Sequence, residues 1–292
     1  MKTSGLFTVH GTTIPFTYAK PIILVFFGDV HRDSPNHANG KWQSFLSEMR
    51  QRLKAGENLW FFGMGDYLDS TSTSDRECLG QLSAKAHETL KNDITALQLA
   101  KCHLFAKECE FMRGRIIGLL NGNHYFNFDH GANTDQKICE LLSAAYLGVC
   151  SFVRLSFTVA GRTFTRDIFA HHGAGAARLF GGSFNRVQQM AEGAEADIYA
   201  MGHDHKRIAS PGQPRLFLSS SNINGLKVEQ REPVVVRSGS YLASYEPGVV
   251  NYNVDACRSP ASLGHVEILI KISHTRGRDG RHQDAIEMRT LV

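Results

Sequence analysis

The sequence predicts an α/β fold in which two sheets pack face to face with helices outside, within a single domain over residues 1–292. Three observations predict it. Short apolar runs alternate with helical periodicity in the first half, paired strand-like runs dominate after Cys150, and five of the apolar runs end in strings of Gly, Asp, Asn and His. A strand, helix, strand alternation requires parallel pairing with right-handed crossovers, whereas hairpins are antiparallel.

The run Pro21 to Phe27 is apolar at every position and stops at Gly28-Asp29-Val30-His31, the pattern of a strand buried on both faces. Trp42, Phe45, Leu46, Met49 and Leu53 then recur at helical spacing, with Gly56 as the residue that ends the helix. A second buried strand, Leu59 to Phe62, leads into Gly63-Met64-Gly65-Asp66. Ser70 to Ser74 reads as a loop, and Leu90, Ile94, Leu97, Leu104 and Phe105 place one long or two shorter helices in a helical insert of about 70–112. That insert is expected to wall the strand ends. Arg115 to Leu120 is a third strand, running into Asn121-Gly122-Asn123-His124. Asn133 with Gln136 forms a capping-box pattern ahead of Ile138, Leu141, Leu142, Ala145 and Tyr146, and Gly148 is expected to close that helix.

Beyond Cys150, Val153 to Val159 alternates, Ala160-Gly161 turns, and Phe164 to Ala170 returns toward His171-His172-Gly173. A helix is expected over Phe184 to Ala191 and a strand over Ile198 to Met201, ending at Gly202-His203-Asp204-His205. Val234 to Val236 and the alternation from Val266 to Ile272 supply further strands in a β-rich C-terminal part of about 206–292.

Composition narrows the function classes. Lys and Arg number 32 against 28 Asp and Glu, so the formal charge of +4 is too small to argue for nucleic-acid binding by itself. No stretch approaches the roughly 18 apolar residues of a membrane span, and the N-terminus shows no apolar signal core, so a cytoplasmic protein is expected. Six cysteines without a C-x-x-C pair fit free thiols rather than a disulfide or zinc-finger framework.

The five strings carry the chemistry. One Gly-Asp at a strand end is ordinarily a turn, and one His ordinarily a hydrogen-bonded residue. Five strings in order, each after an apolar run, should converge, because ligands bind beyond the carboxyl ends of strands in α/β sheets. Asp, His and Asn are oxygen and nitrogen donors suited to Mn, Fe, Zn, Ni or Mg. Seven donors exceed the four of a tetrahedral zinc site and suit two metals sharing a carboxylate.

The order D-x-H, GD-x-x-D, GNH, strand-end His and GH-x-H, spanning Gly28 to His205, resembles the calcineurin-like metallophosphoesterase superfamily. The resemblance implies a double β-sandwich of two packed mixed sheets flanked by helices. It implies that Asp29, His31 and His205 hold a first metal, that Asn123, a strand-end His and His203 hold a second, and that Asp66 bridges both. The resemblance implies His172 as the strand-end ligand, because the family commonly places it directly before Gly; His171, facing the opposite side of the strand, is the alternative. His124 is implied to contact the substrate phosphate and protonate the leaving oxygen, oriented by Asp69. Two divalent ions, manganese first with Fe, Zn, Ni or Mg as alternatives, would bring a bridging water toward a pKa of about 7 and so supply hydroxide.

The implied activity is phosphoester hydrolysis, on phosphodiesters or nucleotides. Arg32, Ser70 and Tyr125 stand where the protein phosphatase branch has Gly, Arg and Glu, which disfavours phosphoprotein substrates. Arg32 and Tyr125 are candidate substrate contacts. Two alternatives stay open: a DNA or RNA exonuclease, for which the Arg276–His282 segment offers three arginines, and a non-catalytic interaction scaffold on the same fold.

Overall fold

In the computed structural model the described residues are 7–72, 76, 88–129, 131–159, 161–175, 177, 179–218, 226, 228–245, 252–255, 257, 259–276 and 282–291. Two mixed sheets form the centre. The five-stranded sheet contains β2 (Ile22–Phe27), β3 (Asn58–Gly63), β4 (Ile116–Leu119), β12 (Val266–Arg276) and β13 (His282–Leu291), in the order β13-β12-β2-β3-β4. The six-stranded sheet contains β1 (Phe7–Pro15), β5 (Cys150–Val159), β6 (Arg162–His171), β7 (Ile198–Met201), β8 (Arg207–Pro211) and β11 (Val234–Ser238), in the order β1-β5-β6-β7-β11-β8. A separate hairpin joins β9 (Arg215–Leu218) to β10 (Val228–Arg231).

Strand β2 shows why the sheets stack this way. Its alternate residues Ile22, Leu24 and Phe26 enter the core between the sheets, against Val153, Leu155, Ile168 and Val236. Ile23, Val25 and Phe27 face the other way and pack under helices α1 (Asn39–Lys54), α2 (Glu88–Glu108) and α3 (Thr134–Leu142), against Trp42, Phe105 and Ile138. All six residues are buried, each full burial stabilising the fold by about 1.5–3 kcal/mol. On the opposite flank, α4 (Phe180–Gly193) covers Tyr199 and Val235 of the six-stranded sheet.

Strands β2, β3 and β4 are mutually parallel, as are β6 and β7, so five carboxyl ends point to one rim of the sandwich. The Asn133–Gln136 capping box forms as expected. Helix α3, however, ends at Leu142 with Ser143 in the left-handed region at φ 53°, not at Gly148. Ala145 and Leu147 instead exchange backbone hydrogen bonds with Leu119 of β4, and that edge pairing takes the place of two further helical turns. Helix α4 begins four residues earlier than the periodicity indicates, and β1, β8, β9, β10 and β13 were not anticipated. Cys78 and residues 277–281, within the arginine-bearing segment, lie outside the described residues.

Candidate metal centre

The seven donors meet at that rim in two groups. Asp29, His31 and His205 form one, and Asp66, His172 and His203 the other, with the candidate ligand atoms in each within 4.8 Å of one another. Asn123 joins the second: its Oδ1 lies 2.9 Å from His172 Nε2 and 2.8 Å from His203 Nδ1. Asp66 connects the groups. Its Oδ2 is 3.3 Å from His172 Nε2 and 3.8 Å from His31 Nε2, while its Oδ1 accepts the backbone N–H of Asn123 and of His124 at 2.7 and 2.9 Å. One carboxylate oxygen is thereby occupied by the chain, and the other faces both sets of imidazoles.

The backbone is bent to reach this arrangement. Five ligand candidates, Asp29, His31, Asp66, His203 and His205, have φ between 45° and 74°, a region that Asp and His tolerate better than most residues but that still costs energy. Cross-loop bonds hold them there. Asp29 N–H donates to Gly65 O, and Val30 and His31 N–H both donate to Asp66 O, zipping the first two strings together. Asp29 O accepts from Tyr241 N–H and the Ser240 hydroxyl at 2.9 Å each, and Asp29 Oδ2 accepts from His203 N–H at 2.9 Å. Glycine is required where strings touch: a Cβ on Gly65, at φ 97°, would lie 2.6 Å from His172 Nδ1.

His172 is fully enclosed and its Nδ1 is 2.7 Å from Met64 O, which assigns the ring's other nitrogen to the centre. His171 turns away, its Nδ1 accepting from Gly173 N–H. His124 Nδ1 lies 2.7 Å from Asp69 Oδ1, the expected pairing, and the same oxygen lies 3.4 Å from His31 Nδ1.

The electrostatics are those of a cation-binding cluster. Burial pushes His203 down to about 4, with His172 adding to the effect, and pushes His205 well below its ordinary range, with His31 adding. Both imidazoles are thus neutral and able to donate lone pairs. Burial acts against charge on His172 also, but the Asp66 carboxylate outweighs it and draws that ring up to about 9. The same negative charge would attract a metal, and metal binding requires that proton to leave. Neither ring nitrogen of buried His31 has a hydrogen-bond partner. Oxygen and nitrogen donors, an orphaned imidazole and a carboxylate oxygen facing both groups fit two divalent ions.

Arg32, a candidate substrate contact, has its guanidinium gripped by Glu108 through Nε at 2.9 and 3.0 Å and Nη2 at 2.8 Å, and the same carboxylate accepts the Trp42 indole N–H. Tyr125 is half-buried beneath the guanidinium of Arg76, 4.0 Å from the ring centroid. Arg76 also donates to the carbonyls of Thr71, Asn123 and Tyr125, so it braces the loop that carries Asn123. Sequence reasoning missed Arg237. This buried residue of β11 donates to Gly202 O and Ser183 Oγ and pairs with Asp204, which stands between His203 and His205 in sequence. Its signal was a lone Arg within the apolar run Val234-Val-Val-Arg-Ser.

Two stacked mixed sheets with helices outside, and the strings in this order on one rim, match the architecture that the resemblance to the calcineurin-like metallophosphoesterases implies. No family model and no curated protein matches the sequence. Among solved structures the chain is similar to Vps29 of Chaetomium thermophilum, at 10% identity over 92% of this chain and 96% of that one with a TM-score of 0.31. It is also similar to a predicted phosphoesterase from Streptococcus pneumoniae TIGR4, at 13% identity over 92% and 98% with a TM-score of 0.32. The Chaetomium Vps29 complexed with a cyclic peptide matches at 11% identity over 92% and 96%, with a TM-score of 0.26. What the chain does is therefore read from its own side chains.

Proposed function

We propose that the chain is a dinuclear-metal-dependent phosphoester hydrolase acting on phosphodiesters or nucleotides. The observation that carries this reading is Asp66, whose Oδ2 faces the imidazoles of both groups while its Oδ1 is taken up by two backbone N–H donors. Asp29, His31 and His205 would hold one ion, Asn123, His172 and His203 the other, and Asp66 both, with manganese the first candidate. Bound divalent ions supply charge neutralisation for phosphate oxygens and a water acidic enough to attack at neutral pH.

The chain's own residues do the rest. His124, with Nδ1 anchored on Asp69, keeps Nε2 to give a proton to the leaving oxygen. Asp69 fixes the ring's orientation. Burial opposes ionisation of Asp69, but its contacts with His124 and His31 hold the carboxyl well below the usual range, so it stays an acceptor. Tyr125 is retained as a wall beside His124.

The test is hydrolysis of a bis-aryl phosphodiester by the purified chain with Mn²⁺, Fe²⁺, Zn²⁺, Ni²⁺ or Mg²⁺ in turn. Metal-dependent turnover that Asp66→Ala abolishes is expected. No turnover with any of these ions, alongside a protein that binds none, contradicts the reading.

A further inference from the structure

Asp33 belongs to none of the five strings. Its Oδ1 accepts the backbone N–H of Asp69 at 2.5 Å, and its Oδ2 lies 2.5 Å from Lys101 Nζ on α2. Asp69 in turn stands 2.7 Å from His124 Nδ1. The Asp69 amide therefore bonds to a side chain rather than to a strand or helix, and Asp33 sets where the Asp69 carboxylate stands.

Lys101 balances the Asp33 carboxylate with its opposite charge. One turn pair further along α2, Glu108 grips Arg32. Positions 101 and 108, seven apart, share a helix face, so α2 takes hold of two consecutive residues just after His31, one acidic and one basic.

Resting on the reading of His124 as the proton donor, we infer that Asp33 is a positioning residue for the Asp69–His124 pair and that Lys101 holds Asp33 in place. The helical segment thereby governs proton delivery to the leaving group, not metal binding.

The test compares the wild type with Asp33→Ala, Asp33→Asn and Lys101→Met on two phosphodiesters, one with an acidic aryl leaving group and one with an alkyl leaving group. An aryl oxide leaves with little help from an acid, whereas an alkoxide needs one. Asp33→Ala should keep its metal content and KM while kcat falls about tenfold or more on the alkyl ester and less than about threefold on the aryl ester. Asp33→Asn, which keeps an acceptor oxygen, should recover most of the loss, and Lys101→Met should fall between. In protein labelled with ¹⁵N-histidine, the downfield imidazole N–H resonance that Asp69→Ala abolishes should weaken in Asp33→Ala.

Equal losses on both esters, losses that follow metal content, or an unchanged resonance would overturn the inference. If Asp33→Ala does not fold, Lys101→Met decides: an unaltered ratio of the two rates and an unaltered resonance overturn it. A wild type inert on both esters would sink the hydrolase reading instead, and the resonance would still decide the positioning claim.

Discussion

Asp66 and Gly122 are in such close contact that a methyl group on Gly122 would lie 2.0 Å from the Asp66 Oδ1 and 2.2 Å from its backbone N. The GNH string can cross the GD string only because residue 122 has no side chain. Gly122→Ala must displace either Asp66 or the loop carrying Asn123 and His124, and backbone cannot yield cheaply. We expect a loss of about 2–4 kcal/mol in urea denaturation together with weakened metal binding. Gly40→Ala, where nothing lies within 4 Å, serves as the control and should be neutral or slightly stabilising.

His124 should matter to turnover and not to metal. Its ring touches the Asp69 carboxylate and stands 4.8 Å, centroid to centroid, from His31, and clusters with those two residues, but it is in neither the Asp29–His31–His205 nor the Asp66–His172–His203 group. His124→Ala should lower kcat by about 10²-fold or more on esters with poor leaving groups. Metal analysis of the same sample should match the wild type; a parallel loss of metal would make His124 a ligand.

The Arg237–Asp204 pair tests the support beneath His203 and His205. Both side chains are almost wholly buried, so removing one partner leaves an uncompensated charge. Asp204→Ala should cost about 3–5 kcal/mol in denaturation, and Asp204→Ala combined with Arg237→Met should be less damaging than Asp204→Ala alone. Additive losses in the double variant would show that the charge is not what makes the single substitution costly.

Glu267 of β12 ties the sheet to α1. Its carboxylate takes both Nη atoms of Arg52, at 2.5 and 3.0 Å, and lies 3.1 Å from His265 Nε2. Burial acts to raise its pKa, but His265 and Arg52 outweigh it and bring the group to about 2. The unfolded chain holds this proton at higher pH than the native protein does, so the stabilisation is complete above pH ~4.5 and is lost as pH falls toward about 2. Discounted for solvent screening, Glu267→Gln should cost about 2 kcal/mol at pH 7 and distinctly less at pH 3. An equal gap at both pH values would place the effect in packing instead.

Much of the candidate centre is legible in the sequence because its Asp, Asn and His residues sit directly after apolar runs, where strand ends must lie. Burial of Ile22 to Phe27 on both faces and the Asn133 cap follow from local patterns. The Arg32–Glu108 pairing was not legible because sequence spacing does not reveal that Glu108, 76 residues away, lies beside Arg32. Asp33 and Arg237 escaped notice for the same reason: each acts through a partner brought near only by tertiary packing. Helix α3 was drawn too long because periodicity cannot register that Ala145 and Leu147 find better partners on β4. The left-handed backbone at Asp29, His31, Asp66, His203 and His205 leaves no trace in spacing at all.

The central claim is that Asp66 is shared by two ions, and binding stoichiometry measures it most directly. After equilibration with Mn²⁺ and removal of excess by dialysis, metal analysis of the purified chain should give about two ions per chain, and Asp66→Ala should drop both together because each group loses the same oxygen. A wild type that retains no metal, or an Asp66→Ala variant that retains the full complement, would contradict the account.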